Sequence, residues 1–227
     1  MMGGIDTNID CSTILPGLFA AGECACVSIN GANRLGSNSL TEILVYGARA
    51  GNAAAVFANE HSEINLEALE KQGADEYKRI TRDFLQKDGG SERIATLRKE
   101  IHQVMEQSVD IFRSESGLKK ACNKIEELKD RFSSILIEDK SLNFNTELTS
   151  ALELENMIDV AESIIFSALS RRESRGSHQR TDFLNRDDEN FLRHSLAYRT
   201  ETESRIEYQD VVITKWPPGE RVYGKEE

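Results

Sequence analysis

One charge stands alone in the segment Asn30-Gly31-Ala32-Asn33-Arg34-Leu35-Gly36-Ser37-Asn38: the guanidinium of Arg34, set among small residues. Small residues let backbone and ligand approach closely, and a fixed guanidinium grips a carboxylate with two parallel hydrogen bonds. The flanks of Arg34 hold few carboxylates to neutralise it. Ser37, Asn38 and Ser39 then open an apolar helix, whose free N–H groups and positive dipole end attract an anion. Upstream, Leu15 to Glu23 reads as an apolar strand ending in Gly22-Glu23, and an acidic residue at a strand end suits ribose or ribityl hydroxyls. Together these residues make half of a site for an anionic cofactor and an acid substrate. Each also has a purely structural reading: Arg34 bonding loop carbonyls, Glu23 as an exposed loop carboxylate, Ser39 as a plain helix cap.

The elements that must hold them follow from periodicity. Ile5–Thr7 and Gly17–Ala21 read as short strands, with Pro16-Gly17 as a turn between them. Ser39 with Glu42 three residues on reads as a capping box. The helix then runs from Leu40 to about Asn59, with Leu40, Ile43, Leu44, Gly47, Ala50, Ala54 and Phe57 at helical spacing, and an exposed apolar patch is expected on it. Residues 62–173 are helical in pattern throughout. One helix spans Ile64 to Lys87, closed by Gly89-Gly90. A second is opened by Ser91 and striped by Ile94, Leu97, Ile101, Val104, Met105 and Phe112. A third buries Leu118, Cys122, Ile125, Leu128, Phe132 and Ile135. A fourth is capped by Asn145 or Thr146 and turns Leu148, Leu152, Met157, Ala161, Ile164 and Ala168 inward. Short links between them suit an antiparallel bundle. Beyond Ser174, Phe191–Thr200 and Ile206–Thr214 read as a hairpin joined through Glu201–Arg205, and Trp216-Pro217-Pro218-Gly219 ends regular structure. The expected fold is α+β, mainly α: the C-terminal part of a nucleotide-binding α/β domain (1–60), an antiparallel helical bundle (61–173), and a small hairpin with an extended tail (174–227).

Charge and composition narrow the classes of function. With 28 Lys and Arg against 39 Asp and Glu, the net charge of −11 argues against nucleic acid and anionic membrane as partners. There is no apolar run of roughly 18 residues that would span a bilayer, and no signal-peptide pattern. Cys11, Cys24, Cys26 and Cys122 lack the spacing of a zinc or cluster site and read as reduced thiols. His61, His102 and His194 show no ligand spacing; His61 and His102 read as helix-surface residues. His178 suits a structural hydrogen-bonding role or an interface. The cluster of Arg171, Arg172, Arg175, Arg180 and Arg186 with Asp182, Asp187 and Asp188 reads as a solvated ion-pair network, or as part of an interface.

The residues that frame Arg34 also carry a resemblance. Gly22-Glu23, then Gly31-Ala32-Asn33-Arg34-Leu35-Gly36 and Asn38-Ser39-Leu40, resemble the flavoprotein subunit of succinate dehydrogenase and fumarate reductase. Met1-Met2-Gly3-Gly4 is similar to the end of that family's His-Tyr-x-Met-Gly-Gly motif. The far end is similar too, through Arg175-Gly176-Ser177-His178, Arg186-Asp187-Asp188-Glu189-Asn190, His194-Ser195 and Lys215-Trp216-Pro217-Pro218. Asn30 departs from the family's usual His, keeping a donor and an acceptor but no titration near neutral pH.

The resemblance implies FAD as cofactor, contacted by Glu23, Asn38, Ser39 and Leu40, and a dicarboxylate substrate (succinate or fumarate) held by Arg34. It implies hydride transfer between substrate and FAD, and an iron–sulfur subunit that exchanges the electrons. Membrane anchor subunits would follow indirectly, placing the protein in the cytoplasm on the inner face of the membrane. No catalytic residue is expected within this chain: nothing in it reads as the G-x-G-x-x-G turn for the pyrophosphate or as the family's capping domain with its proton-donating arginine. Little activity is therefore expected of the chain alone. Two other readings stay open, an L-aspartate oxidase-like flavoenzyme and a non-catalytic interaction module.

Overall fold

The fold is seen in a computed structural model, which describes residues 3–61, 65–200 and 204–219. The expectations at Met1-Met2, at Ile64, at Glu201–Glu203 and beyond Gly219 lie outside the described residues.

Strand β1 (Ile5–Asp6) pairs in parallel with β2 (Ala25–Cys26). The second strand is thus at 25–26 and not at Gly17–Ala21, where Phe19 makes a single bridge to Ser12. Gly22 is the reason: at φ 84 it turns the chain, Ala25 N–H bonds its carbonyl, and pairing starts only afterwards. Gly4 lets the two strands meet, since a Cβ there would lie 2.5 Å from the Cys24 carbonyl oxygen.

Helix α1 (Asn38–Glu60) follows the arginine loop. Ser39 and Glu42 do not form a capping box. The helix starts earlier, with Ser37 at its N-cap in the left-handed region, and the Glu42 carboxylate turns instead to the Asn30 side-chain amide at 2.6 Å. Leu40, Ile43, Leu44, Val45 and Val56 are exposed, as the apolar patch requires.

Helix α2 (Leu66–Ile80) runs into a π turn at Thr81–Leu85 and buries none of its own residues. It is tied down by Arg79, which bonds Glu76 and Glu155, and by Phe84 in the turn behind it, which is buried against Phe132. The core belongs to three helices: α3 (Ile94–Ser108), α4 (Glu115–Phe132) and α5 (Thr146–Ser170). Leu97 and Ile101 meet Leu118, Ile125 and Leu128, with Ile135 and Ile137 closing one end. On α3 the expected stripe stops before Phe112, which is exposed in the short strand β3 (Phe112–Arg113). On α5 the buried face is Ala151, Leu154, Ile158, Ala161, Ile165 and Ala168, while Leu148, Leu152, Met157 and Ile164 flank it. This helix is apolar on more than one side, so periodicity alone does not choose between adjacent stripes.

Asn145 caps α5 by accepting from the Leu148 N–H, and Ser114 caps α4 by accepting from the Gly117 N–H. Arg131 at the end of α4 gathers Glu92, Glu100 and Glu127, and with Lys124 holds the Glu100 carboxyl down to about 2. After α5 the chain forms β4 (Gln179–Arg180), parallel to β3, a turn of helix α6 (Asp188–Phe191), and the expected antiparallel hairpin β5 (Arg193–Tyr198) with β6 (Arg205–Asp210).

Leu128 lies fully buried where the three helices meet. Leu128→Ala is expected to cost about 2–5 kcal/mol, read as a lower urea midpoint at unchanged slope. A loss below about 0.5 kcal/mol would place the core elsewhere.

Candidate functional site

Arg34 Nη1 donates to Glu23 Oε2 at 2.7 Å. The flanks hold no such carboxylate; folding supplies one from eleven residues away. Both side chains keep substantial solvent access, 33% and 67%, so the pair is worth no more than about 1 kcal/mol. Opening so weak a pair costs little, which leaves the guanidinium available to a carboxylate other than Glu23.

Beside the pair stands the start of α1. The Ser37 side chain accepts no hydrogen bond from the first turn, and that turn contains no acidic residue. Neither the cap residue nor the first turn therefore supplies a side chain that compensates the positive end of the helix. Leu40, on its first turn, is exposed. The Asn38 and Leu40 N–H groups bond the Leu35 and Ser37 carbonyls, so what this end of the helix presents is its dipole and the exposed Leu40 side chain. Asn38, Ser39 and Leu40 therefore lie at the same end of the fold as Arg34 and Glu23. Behind them Asn30 donates to the buried Glu42 without titrating.

The charged segment after α5 is solvated only at its edge, where Arg172, Asp182 and Asp188 are exposed, and its centre is buried. Glu173 is 0% exposed and Arg180 1%. The Glu173 carboxylate accepts from Arg171 Nη1 at 2.6 Å, from Arg175 Nε and Nη2 at 2.8 and 2.9 Å, and from the Asp187 N–H at 2.8 Å. Arg180 grips Asp182 with two bonds and donates to the Ala168 and Arg171 carbonyls where α5 ends. Asp182 accepts in turn from the Glu115 N–H that opens α4. One ion pair thus complements the negative end of α5 and the positive end of α4. Arg180 and the bond from Glu115 hold the Asp182 carboxyl well below the usual carboxylate range.

His178 has the structural role. Its Nδ1 accepts from Arg113 Nη1 at 2.7 Å, so in the neutral ring Nε2 carries the proton and donates to the Arg171 carbonyl at 3.1 Å. Burial, then the charges of Arg113, Arg171 and Arg180, push its pKa down to about 4. His61 stacks on Phe57 at the end of α1, and His102 is exposed on α3.

Two contacts join this segment to the arginine loop. Ser177 donates to the Ala32 carbonyl from its N–H at 3.2 Å and from Oγ at 2.9 Å, and His194 Nε2 lies 2.6 Å from Ser28 Oγ. No local sequence rule marks Glu173, Gly176 or Ser177 for a role. The one available signal was a single acid, Glu173, set between Arg172 and Arg175. Among the described residues no group of acidic, His and Cys side chains could hold a metal ion.

The profile for the fumarate reductase flavoprotein C-terminus matches residues 98–223, and that for an FAD binding domain matches residues 1–40. The fumarate reductase flavoprotein subunit of Mycobacterium tuberculosis H37Rv is 52% identical over 99% of this chain and 39% of its own length. The succinate dehydrogenase flavoprotein subunit of Rickettsia conorii is 36% identical over 98% of this chain and 40% of its own. A variant of Escherichia coli quinol fumarate reductase superposes with a TM-score of 0.93 at 44% identity, over 99% of this chain and 38% of that one. These matches define the class, the flavoproteins whose cofactor is FAD. Within it, the chain belongs to the family of fumarate reductase and succinate dehydrogenase flavoprotein subunits, matching their C-terminal part. It spans about two fifths of the length of the curated relatives it matches.

The buried neutral imidazole sets a pH dependence. The unfolded chain binds a proton at His178 near pH 6.5 and the folded chain only near 4, so this contribution is complete above pH 6.5 and is lost as pH falls towards 4. The expected loss is on the order of 2 kcal/mol. His178→Gln should flatten the melting temperature across that window, and an unchanged slope would show that His178 is not its source.

Proposed function

We propose that this chain provides the substrate-arginine edge of an FAD-dependent succinate dehydrogenase/fumarate reductase flavoprotein subunit. The observation that carries it is the exposed Arg34–Glu23 pair beside the uncapped start of α1. Arg34 clamps one carboxylate of a four-carbon dicarboxylate with charge-assisted bonds and polarises the substrate. Glu23, freed from Arg34, takes cofactor hydroxyls. The start of α1 at Asn38, Ser39 and Leu40 turns the positive end of a helix dipole towards the flavin pyrimidine, an arrangement that favours negative charge there. FAD, when bound, supplies the hydride chemistry. The exposed face of α1 at Leu40, Leu44 and Val45 takes the remainder of the flavin-binding fold, residues 1–60 serving as its C-terminal piece, 61–173 as the bundle and 174–227 as the tail.

Electrons pass to or from an iron–sulfur subunit, through which membrane anchors place the assembly on the inner, cytoplasmic face of the membrane. Among the described residues no helix is long and apolar enough to cross a membrane, in keeping with a peripheral role. Higher identity to fumarate reductase than to succinate dehydrogenase subunits, 52% against 36%, favours the reductase side of the family. The match at residues 98–223 favours both over an L-aspartate oxidase-like enzyme. A docking role without catalysis is the second reading, supported by the same exposed face of α1.

In the flavin-loaded holoenzyme, Arg34→Ala should weaken transition-state binding of fumarate by about 2–5 kcal/mol in kcat/KM, at normal flavin content. Undiminished kcat/KM would rule out the carboxylate role. The chain purified by itself should carry little flavin absorbance and no substantial activity; a stoichiometric yellow cofactor would mean that these residues already complete a flavin site.

A further inference from the structure

Arg34 is presented by a loop that does little to hold itself. Gly31 sits at φ 57, and neither Gly31 nor Gly36 has any neighbour within 4 Å of where a Cβ would be. Across residues 31–34, the backbone hydrogen bonds among the described residues are the two that Ser177 donates to the Ala32 carbonyl. Those bonds span 145 positions of sequence and fill both lone pairs of one oxygen.

The donor is rigidly built. Arg175 and His178 exchange backbone bonds at 2.7 and 3.0 Å, closing a tight turn over Gly176 and Ser177. Gln179 Nε2 bonds the Gly176 carbonyl at 2.8 Å. Below the turn, Arg175 is fixed by the buried Glu173 and by Asp188, and His178 by Arg113 and the Arg171 carbonyl. Gly176 faces the loop directly: at φ 57, a Cβ on it would lie 2.7 Å from Ala32 C and O and 2.8 Å from Ala32 Cβ. No side chain fits there without displacing Ala32, two residues from the guanidinium.

We propose that Gly176 and Ser177 are positioning residues for Arg34. Their turn latches the Ala32 carbonyl, so that affinity for the dicarboxylate is set in part by the charged segment that follows the bundle. This rests on the reading of Arg34 as the carboxylate ligand. A loop held at one carbonyl keeps the guanidinium near its bonding geometry before the ligand arrives, and loss of that preorganisation is paid from binding energy.

The test uses the flavin-loaded holoenzyme with Ser177→Ala, Ser177→Thr, Gly176→Ala and Arg34→Lys. It reads KM for fumarate, the dissociation constant of malonate from the flavin spectrum, flavin content and melting temperature. Ser177→Ala keeps the backbone bond and loses the hydroxyl, so KM and the malonate constant should each rise about three- to tenfold, with flavin content and melting temperature unchanged. Ser177→Thr should restore both constants to near the parent values, and Gly176→Ala should exceed the effect of Ser177→Ala. Unchanged constants in Ser177→Ala, or no rescue by Thr, would overturn the latch. If Arg34→Lys raises the malonate constant while Ser177→Ala does not, the latch alone fails. If Arg34→Lys leaves that constant unchanged, the carboxylate reading fails and the latch with it.

Discussion

The structure turns on a carboxylate with no access to water. Glu173, directly after α5, collects two guanidinium groups and a backbone N–H. Desolvating a carboxylate costs several kcal/mol, returned only where every partner is in place. The three partners are Arg171 at the end of α5 and Arg175 and Asp187 beyond it. Satisfying Glu173 therefore folds the segment from 171 to 188 back on itself at the end of the bundle. Removing one partner leaves a buried charge unpaired, which costs about 3–5 kcal/mol. The neighbouring pair of Arg180 and Asp182 links the same segment to the ends of α5 and α4. The tail is in this way part of the bundle, although its composition is that of a polar surface.

From that fixed point the geometry reaches the candidate site in one step. The turn that carries Ser177 is built on Arg175 and His178, and both are held by the buried network. Ser177 holds Ala32, and Ala32 belongs to the loop of Arg34. The helical core matters to the site through this segment: α3, α4 and α5 supply apolar burial, and the charges at their ends convert it into the placement of one loop. Asn30 does related work on the other side, tying the same loop to Glu42 in α1 through its side-chain amide.

Much of this was legible in the sequence. The helices of the bundle, their Asn145 cap and the antiparallel hairpin follow from periodicity and local turn chemistry. So does the pairing of a lone arginine with a helix start, and the similarity of Gly31–Leu40 to a flavoprotein motif identified the family. What escaped was long-range and polar. A capping box at Ser39 and Glu42 obeys every local rule, and Glu42 still finds Asn30. A run of arginines and aspartates reads as surface, because sequence gives no burial for charged groups. Strand position near Gly22 failed for a related reason: a left-handed glycine ends one extended segment before pairing begins. On α5, apolar residues on several faces hid which stripe is innermost.

The central claim is that the buried carboxylate organises the loop bearing Arg34. The most direct measurement is backbone hydrogen exchange in Glu173→Gln, followed over residues 31–36 with the amides of α4 and α5 as internal reference. If Glu173 organises the loop, exchange there is faster while the buried helical amides keep their protection. Equal exchange in the loop, with the tail alone loosened, would contradict it.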